Sequence, residues 1–180
     1  WEIYIPTENS KEIYELIITL EKKFGLVHAG AHAMDIMRME KGYLHWGHDI
    51  SPAENPYEAG LAFALKLNKK EDFIGKKYLV NNKNILKKKL LMFELNNSTP
   101  GNPLLLHDEP IYYKGKIVGE TTSGNYSFTY NKNLAYGYID AKLDFDVSNS
   151  VFEIEVAKKK YKASVLNKAL HDPDNNFIRN

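Results

Sequence analysis

His45, His48 and Asp49 fall within five residues. A His-x-x-His-Asp run offers two imidazoles and a carboxylate, ligand types that zinc accepts where thiolates are lacking. The spacing brings both rings to one ion only in a tightly turned loop and fixes no third ligand, so two loop-packing histidines account for it better. Glu2 is a second candidate, set between Trp1 and Tyr4 in a run of large side chains. A carboxylate can accept two donors at once, which suits a cyclic N–H beside an exocyclic amine, as on a pterin or guanine edge. A solvent-facing strand glutamate would have the same pattern. The third candidate is the hydroxyl-rich run Gly119 to Ser127, whose donors could hold an anion. It has no basic residue and does not match a phosphate loop, so a structural turn crossing a sheet is the simpler expectation.

Residues 1–5 alternate as a strand would, and Pro6 ends the run. Ile13, Leu16, Ile17 and Leu20 then give helical spacing over Glu8 to Lys23, with Thr7 or Asn9 as cap and Gly25 as stop. A second helix is expected over Ala29 to Glu40, with Ala33, Ile36, Met37 and Glu40 on one face. Gly42 to Pro56 reads as a long loop carrying Tyr43, His45, Trp46 and His48, and a short helix is expected over Glu71 to Leu79. The basic stretch Lys83 to Lys89 separates two packing units, residues 1–84 and 85–180. Beyond it the pattern turns to short strands: Leu90 to Leu95, Glu109 to Tyr113, Lys116 to Thr121, Leu134 to Tyr138, Val151 to Val156 and Tyr161 to Val165. Lys114-Gly115 and Lys159-Lys160 are the expected hairpin turns. The fold class is therefore α+β: an α/β part followed by a small antiparallel barrel.

Composition narrows the chemistry. The 180 residues carry 24 Lys+Arg against 23 Asp+Glu, so the net charge of +1 supplies no field for gripping a polyanion over the whole surface. With only Arg38 and Arg179 as arginines, nucleic acid is not an expected partner. The absence of cysteine removes disulfides, thiolate metal sites and cysteine nucleophiles. No apolar run has membrane-helix length, and no Gly-x-Ser-x-Gly elbow supports a hydrolase. No metal site is expected. The chain opens at Trp1 in a strand-like run and reads as the tail of a longer polypeptide.

An ordered succession of motifs sharpens this picture. Met37 to Tyr43, His45-Trp46-Gly47-His48-Asp49, Asn55 to Leu61, Lys66-Leu67-Asn68-Lys69 with Asp72 to Lys76, Gly119 to Ser127 and Leu134 to Tyr138 together resemble the aminomethyltransferase superfamily. That superfamily includes the glycine-cleavage T-protein and the folate-binding parts of sarcosine and dimethylglycine dehydrogenases. The Glu-Lys-Gly-Tyr, Trp-Gly and Asp-Phe-Ile-Gly-Lys motifs look most similar to the dehydrogenase branch, and the resemblance spans nearly the whole chain.

The resemblance implies the C-terminal part of a tetrahydrofolate-binding domain, an incomplete α/β subdomain followed by a β-barrel, within an enzyme transferring a one-carbon unit. Trp1-Glu2 matches the end of the family's Tyr-Thr-Gly-Glu-x-Gly-Trp-Glu motif, which selects Glu2 as the pterin ligand, with Ile3 and Tyr4 on the same wall. Phe63 stands where a dehydrogenase relative presents a folate-contacting tyrosine, keeping the ring and losing the hydroxyl. Met34 replaces the folate-contacting arginine of the glycine-cleavage proteins. The family's catalytic aspartate lies upstream of Trp1, so no catalytic residue is assigned. The implied partners are the N-terminal half of the same domain and a small N-methyl amine, with FAD held elsewhere in the parent protein. The implied compartment is the cytoplasm, or the mitochondrial matrix in a eukaryote. The Met34 and Phe63 departures leave two alternatives: a non-catalytic accessory module of the same fold, or a stand-alone folate-dependent transferase.

Overall fold

A computed structural model describes residues 2–83 and 85–179. The chain divides into two compact units, Trp1–Met34 and Asp35–Asn180.

In the first unit residues 2–6 form no strand, because a strand needs a partner for its backbone and none pairs with them among the described residues. Trp1 lies outside the described residues. The expected first helix is present but broken: a 3-10 turn at Thr7–Asn9 leads into α1 (Ser10–Ile18) and then α2 (Glu21–Phe24). Gly25 stops α2 in the left-handed conformation at φ 64°, its N–H donating to Glu21 O. Neither α1 nor α2 buries a residue, and Leu16, Leu20 and Phe24 lie exposed. Helix α3 (Ala31–Lys41) follows. Its buried residues are Ile36, Met39 and Glu40, so Met37 is not on the packed face as its spacing suggested.

The second unit is built on a closed antiparallel barrel of β1 (Lys88–Leu95), β2 (Pro110–Tyr113), β3 (Lys116–Ser127), β4 (Lys132–Asp140), β5 (Val151–Val156) and β6 (Lys159–Leu166), in the order β1-β4-β3-β2-β5-β6. The expected α+β class and small barrel are thus the observed ones. Strand alternation separates two cores. Phe93, Ile111, Ala135, Ile139, Phe152 and Ile154 fill one, with Phe152 edge-on to Phe93 at 5.4 Å between centroids. Met92, Leu134 and Tyr136 of β1 and β4 alternate with those residues and pack with Ile36 and Met39 of α3. Strand β4 is consequently buried along nearly its whole length. The helix after the loop, α4 (Lys76–Asn81), is shorter than expected, and α5 (Asn176–Arg179) closes the chain.

The hairpin at Lys114-Gly115 forms as expected, with both residues left-handed at φ 50° and 77°. The β5–β6 turn lies at Ala157-Lys158 instead of Lys159-Lys160. That register sets Glu155 opposite Lys160 and Glu153 opposite Lys162, pairing unlike charges across the strands. Strand β3 also departs from expectation: the Gly119 to Ser127 run is not a turn but the continuation of the strand. Its glycines serve close approach, since a Cβ on Gly119 would lie 1.8 Å from Tyr138 O and one on Gly124 2.4 Å from Leu105 Cβ. Gly119→Ala is therefore expected to force β3 from β4 and cost about 2–3 kcal/mol, read as a lowered midpoint in chemical denaturation.

Candidate functional site

Loop residues 43–50, between α3 and the turns that precede the barrel, owe their shape to Asp49. The Asp49 side chain is completely buried, and Arg38 from α3 donates to its Oδ2. The N–H of His45 reaches the same oxygen at 2.9 Å. Oδ1 accepts from Thr122 Oγ1 at 2.6 Å and Ser123 Oγ at 2.7 Å. Adjacent residues of a regular strand face opposite sides, so one carboxylate could not collect both hydroxyls. A bulge between Thr121 and Ser123 turns both toward Asp49.

Arg38 completes the cluster. Its Nε donates to Asp35 Oδ1 at 2.9 Å, Nη1 to Tyr43 O at 3.2 Å and Nη2 to Ser123 Oγ at 2.7 Å. Its guanidinium carbon lies 5.7 Å from the centre of the Tyr136 ring. A buried carboxylate of this kind is tolerable only because a cation and several donors meet it at once. The rest of the hydroxyl run acts alike: Thr121 donates to Glu109 and Ser127 Oγ to Glu40 Oε1 at 2.6 Å. The anions held by this run are therefore the protein's own carboxylates.

The His-x-x-His-Asp run does not converge. The His45 and His48 rings lie 4.4 Å apart and tilted, while Asp49 turns inward to Arg38. No group of three or more histidines and carboxylates is arranged to hold a metal among the described residues.

Beside this cluster lies a cleft of about 710 Å³. Its walls include His48, Glu54, Lys88, His107, Glu120 and Tyr138. The Lys88 ammonium sits 4.3 Å above the Tyr138 ring and 2.6 Å from Glu54 Oε1. Burial pushes the Glu54 carboxyl up, but the bonds from Lys88 and Ser51 outweigh it and hold the group below the usual carboxylate range. The Tyr138 hydroxyl donates to Asp49 O at 3.0 Å, linking the cleft wall to the buried cluster. Burial, reinforced by nearby carboxylates, drives the phenols of Tyr136 and Tyr138 far above their ordinary value.

The residues selected from sequence have a different character. Glu2, Ile3 and Tyr4 are exposed, and the Tyr4 hydroxyl donates to Glu2 Oε2 at 3.1 Å. Met34 ends the first unit, 61% exposed. Phe63, in the second unit, lies on the 3-10 turn Ala62–Ala64 and is 79% exposed. Tyr4 and Glu2 are brought together; Phe63 belongs to the other unit. The Arg38–Asp49 centre escaped sequence reasoning, although one signal was present: Arg38 is one of two arginines, and an aspartate ends the aromatic loop that follows it.

Residues 1–69 match the GCVT N-terminal domain, and residues 88–172 match the glycine cleavage T-protein C-terminal barrel domain. The chain belongs to the aminomethyltransferase (glycine-cleavage T-protein) family. It is 37% identical over 174 residues to mitochondrial dimethylglycine dehydrogenase of Mus musculus, covering 94% of this chain and 19% of that protein. It is 34% identical over 172 residues to an aminomethyltransferase of Alkaliphilus metalliredigens, covering 95% of this chain and 45% of that protein. The chain thus spans about a fifth of the dehydrogenase and under half of the transferase. The fold is that of the glycine cleavage system aminomethyltransferase T from Bartonella henselae, with a TM-score of 0.76 and 21% identity over 91% of this chain and 45% of that one.

Two measurements probe the buried centre. Arg38→Met leaves Asp49 without its cation and is expected to cost about 3 kcal/mol or more of stability by chemical denaturation. In an alkaline titration followed by phenolate absorbance, a free phenol ionises at about 10. Tyr136 and Tyr138 should stay protonated until well beyond it. Their raised folded-state pKa contributes stability that is complete below the unfolded phenol value and is lost as pH climbs above it.

Proposed function

We propose that this chain forms the tetrahydrofolate-binding part of a one-carbon-transferring enzyme, of the sarcosine or dimethylglycine dehydrogenase type or the glycine-cleavage T type. The observation that carries the reading is the family match over both parts of the chain, and the resemblance of Trp1-Glu2 to the end of the family motif supports Glu2 as the pterin ligand.

In this reading the Glu2 carboxylate accepts the cyclic N–H and exocyclic amine of the pterin, with the Tyr4 hydroxyl at 3.1 Å orienting it. Ile3, Tyr4 and Phe63 supply apolar and aromatic faces. The exposure of Ile3 and Tyr4, with the unburied apolar side chains of α1 and α2, supports a binding surface completed by the N-terminal half of the same domain. Transfer of a one-carbon unit to a folate nitrogen needs that nitrogen held close to an electrophilic carbon, so positioning supplies much of the rate. The proton-handling group comes from the other half, and in a dehydrogenase parent FAD and the N-methyl amine bind in a separate flavin part of the protein. The compartment is the mitochondrial matrix in a eukaryotic parent and the cytoplasm in a bacterial one. Among the described residues no helix is long and apolar enough to cross a membrane.

Reduced folate titrated calorimetrically into the full-length protein tests this. Glu2→Ala should weaken binding by about 10- to 100-fold, the worth of a charge-assisted pair of hydrogen bonds. Unchanged affinity would remove Glu2 from the site.

A further inference from the structure

The chain as a whole is close to neutral, but the cleft beside the aromatic loop is not. Glu54, Asp108, Glu120 and Asp140 line it against a single lysine, Lys88, a net −3 with its two histidines neutral where the whole chain is +1. Two of these carboxylates are answered: Glu54 by the Lys88 ammonium at 2.6 Å and Asp108 by His107 Nδ1 at 2.6 Å. Glu120 and Asp140 take part in no ion pair among the described residues. Register supplies the reason. Glu120 stands opposite Pro110 on β2 and Tyr138 on β4, neither of them a cation. Asp140 stands opposite Lys88 on β1, whose ammonium is given to Glu54.

How this cleft holds an ammonium is already visible in the chain's own. Lys88 Nζ lies 4.3 Å over the Tyr138 ring, with the Glu54 carboxylate closing on it from the side. Tyr138 and Asp140 share a face of β4, and direct cross-strand partners share a face of the sheet, so Glu120 and Asp140 flank the same ring. A ring with one seated ammonium thus has two further carboxylates beside it that no cation meets. The carboxylates do not converge on one point, since no group of three or more histidines and carboxylates is arranged to hold a metal among the described residues. A single small ion is therefore not the occupant. Apolar surface completes the lining, including Ile117 at 63% exposed. The occupant must then combine spaced positive charges with apolar stretches. A peptide would bring backbone N–H and C=O groups that need partners, and the strands beneath spend theirs on one another in a closed barrel.

We propose that this cleft binds a linear aliphatic polyamine, whose ammonium groups meet Glu120 and Asp140 while its methylenes lie on Ile117 and the Tyr138 ring. Its volume of about 710 Å³ is that of a small-molecule site. Such a ligand carries several charges and no backbone amide. The inference stands apart from the folate reading, because none of Glu2, Ile3, Tyr4 and Phe63 lines the cleft.

The test titrates tricationic spermidine into the full-length protein by calorimetry. Binding at low ionic strength should weaken as salt rises. The double variant Glu120→Gln, Asp140→Asn should bind spermidine about fivefold or more weakly. Both altered side chains are exposed, so its unfolding midpoint should stay at that of the unaltered protein. A control variant, Glu8→Gln, Glu12→Gln, removes the same charge from exposed positions of the first unit and should leave spermidine affinity unchanged. Absence of binding, unchanged affinity in the cleft variant, or equal weakening in the control overturns the proposal. An acetylated trilysine amide of the same charge that binds tenfold tighter than spermidine would give the cleft to a polypeptide and overturns it as well.

Discussion

The interaction on which the second unit depends is the buried pair of Arg38 and Asp49. Arg38 belongs to α3, Asp49 ends the aromatic loop, and the hydroxyls that complete the pair come from β3. Three separate stretches of chain are thereby held to one point. The cost of removing two charges from water is offset only when every member is in place. That requirement explains features with no value of their own, including the bulge that turns Thr122 and Ser123 to the same side. Local geometry bends to satisfy a buried carboxylate.

The same logic recurs around the barrel. Glu109 is met by Thr121 and by the N–H of Leu106 at 2.8 Å, and Glu40 is met by Ser127. Glu58 accepts from the N–H groups of Asn55 at 3.2 Å and Lys87 at 3.0 Å, fastening the loop before the barrel to its first strand. Every such carboxylate joins segments distant in sequence or closes a turn the chain would otherwise leave open. These contacts specify where helix and loops sit on the barrel, while Phe93, Ile111, Phe152 and Ile154 supply the apolar burial that drives closure.

The two units make opposite use of their apolar side chains. In the second, alternation along β1 and β4 sends residues alternately to two cores, and little of β4 is left uncovered. In the first, the helices leave Leu16, Leu20 and Phe24 exposed, and the stretch carrying Glu2 makes no sheet. Under the proposed function those exposed faces meet the N-terminal half of the same domain. The proposed pterin contacts lie among such exposed residues, which is why their exposure and their proposed role are compatible.

Sequence by itself determined a good deal. Short runs of strand-forming residues between turn signals located all six strands, although β3 runs on to Ser127. Lys114-Gly115 announced its turn through a local need for left-handed backbone, and the ordered motifs announced the family. The run from residue 2 to 6 has strand alternation, yet a strand exists only if another chain segment meets its backbone. The Gly119 to Ser127 run looked like a turn because glycine and hydroxyls are turn residues. Tertiary structure made it a strand, because the glycines admit Tyr138 and Leu105 and the hydroxyls meet carboxylates from elsewhere. The pairing of Arg38 with Asp49 and Ser123 joins residues 11 and 85 positions apart. No periodicity records such a contact, since it is selected by how the folded segments meet and by the cost of burying a charge alone.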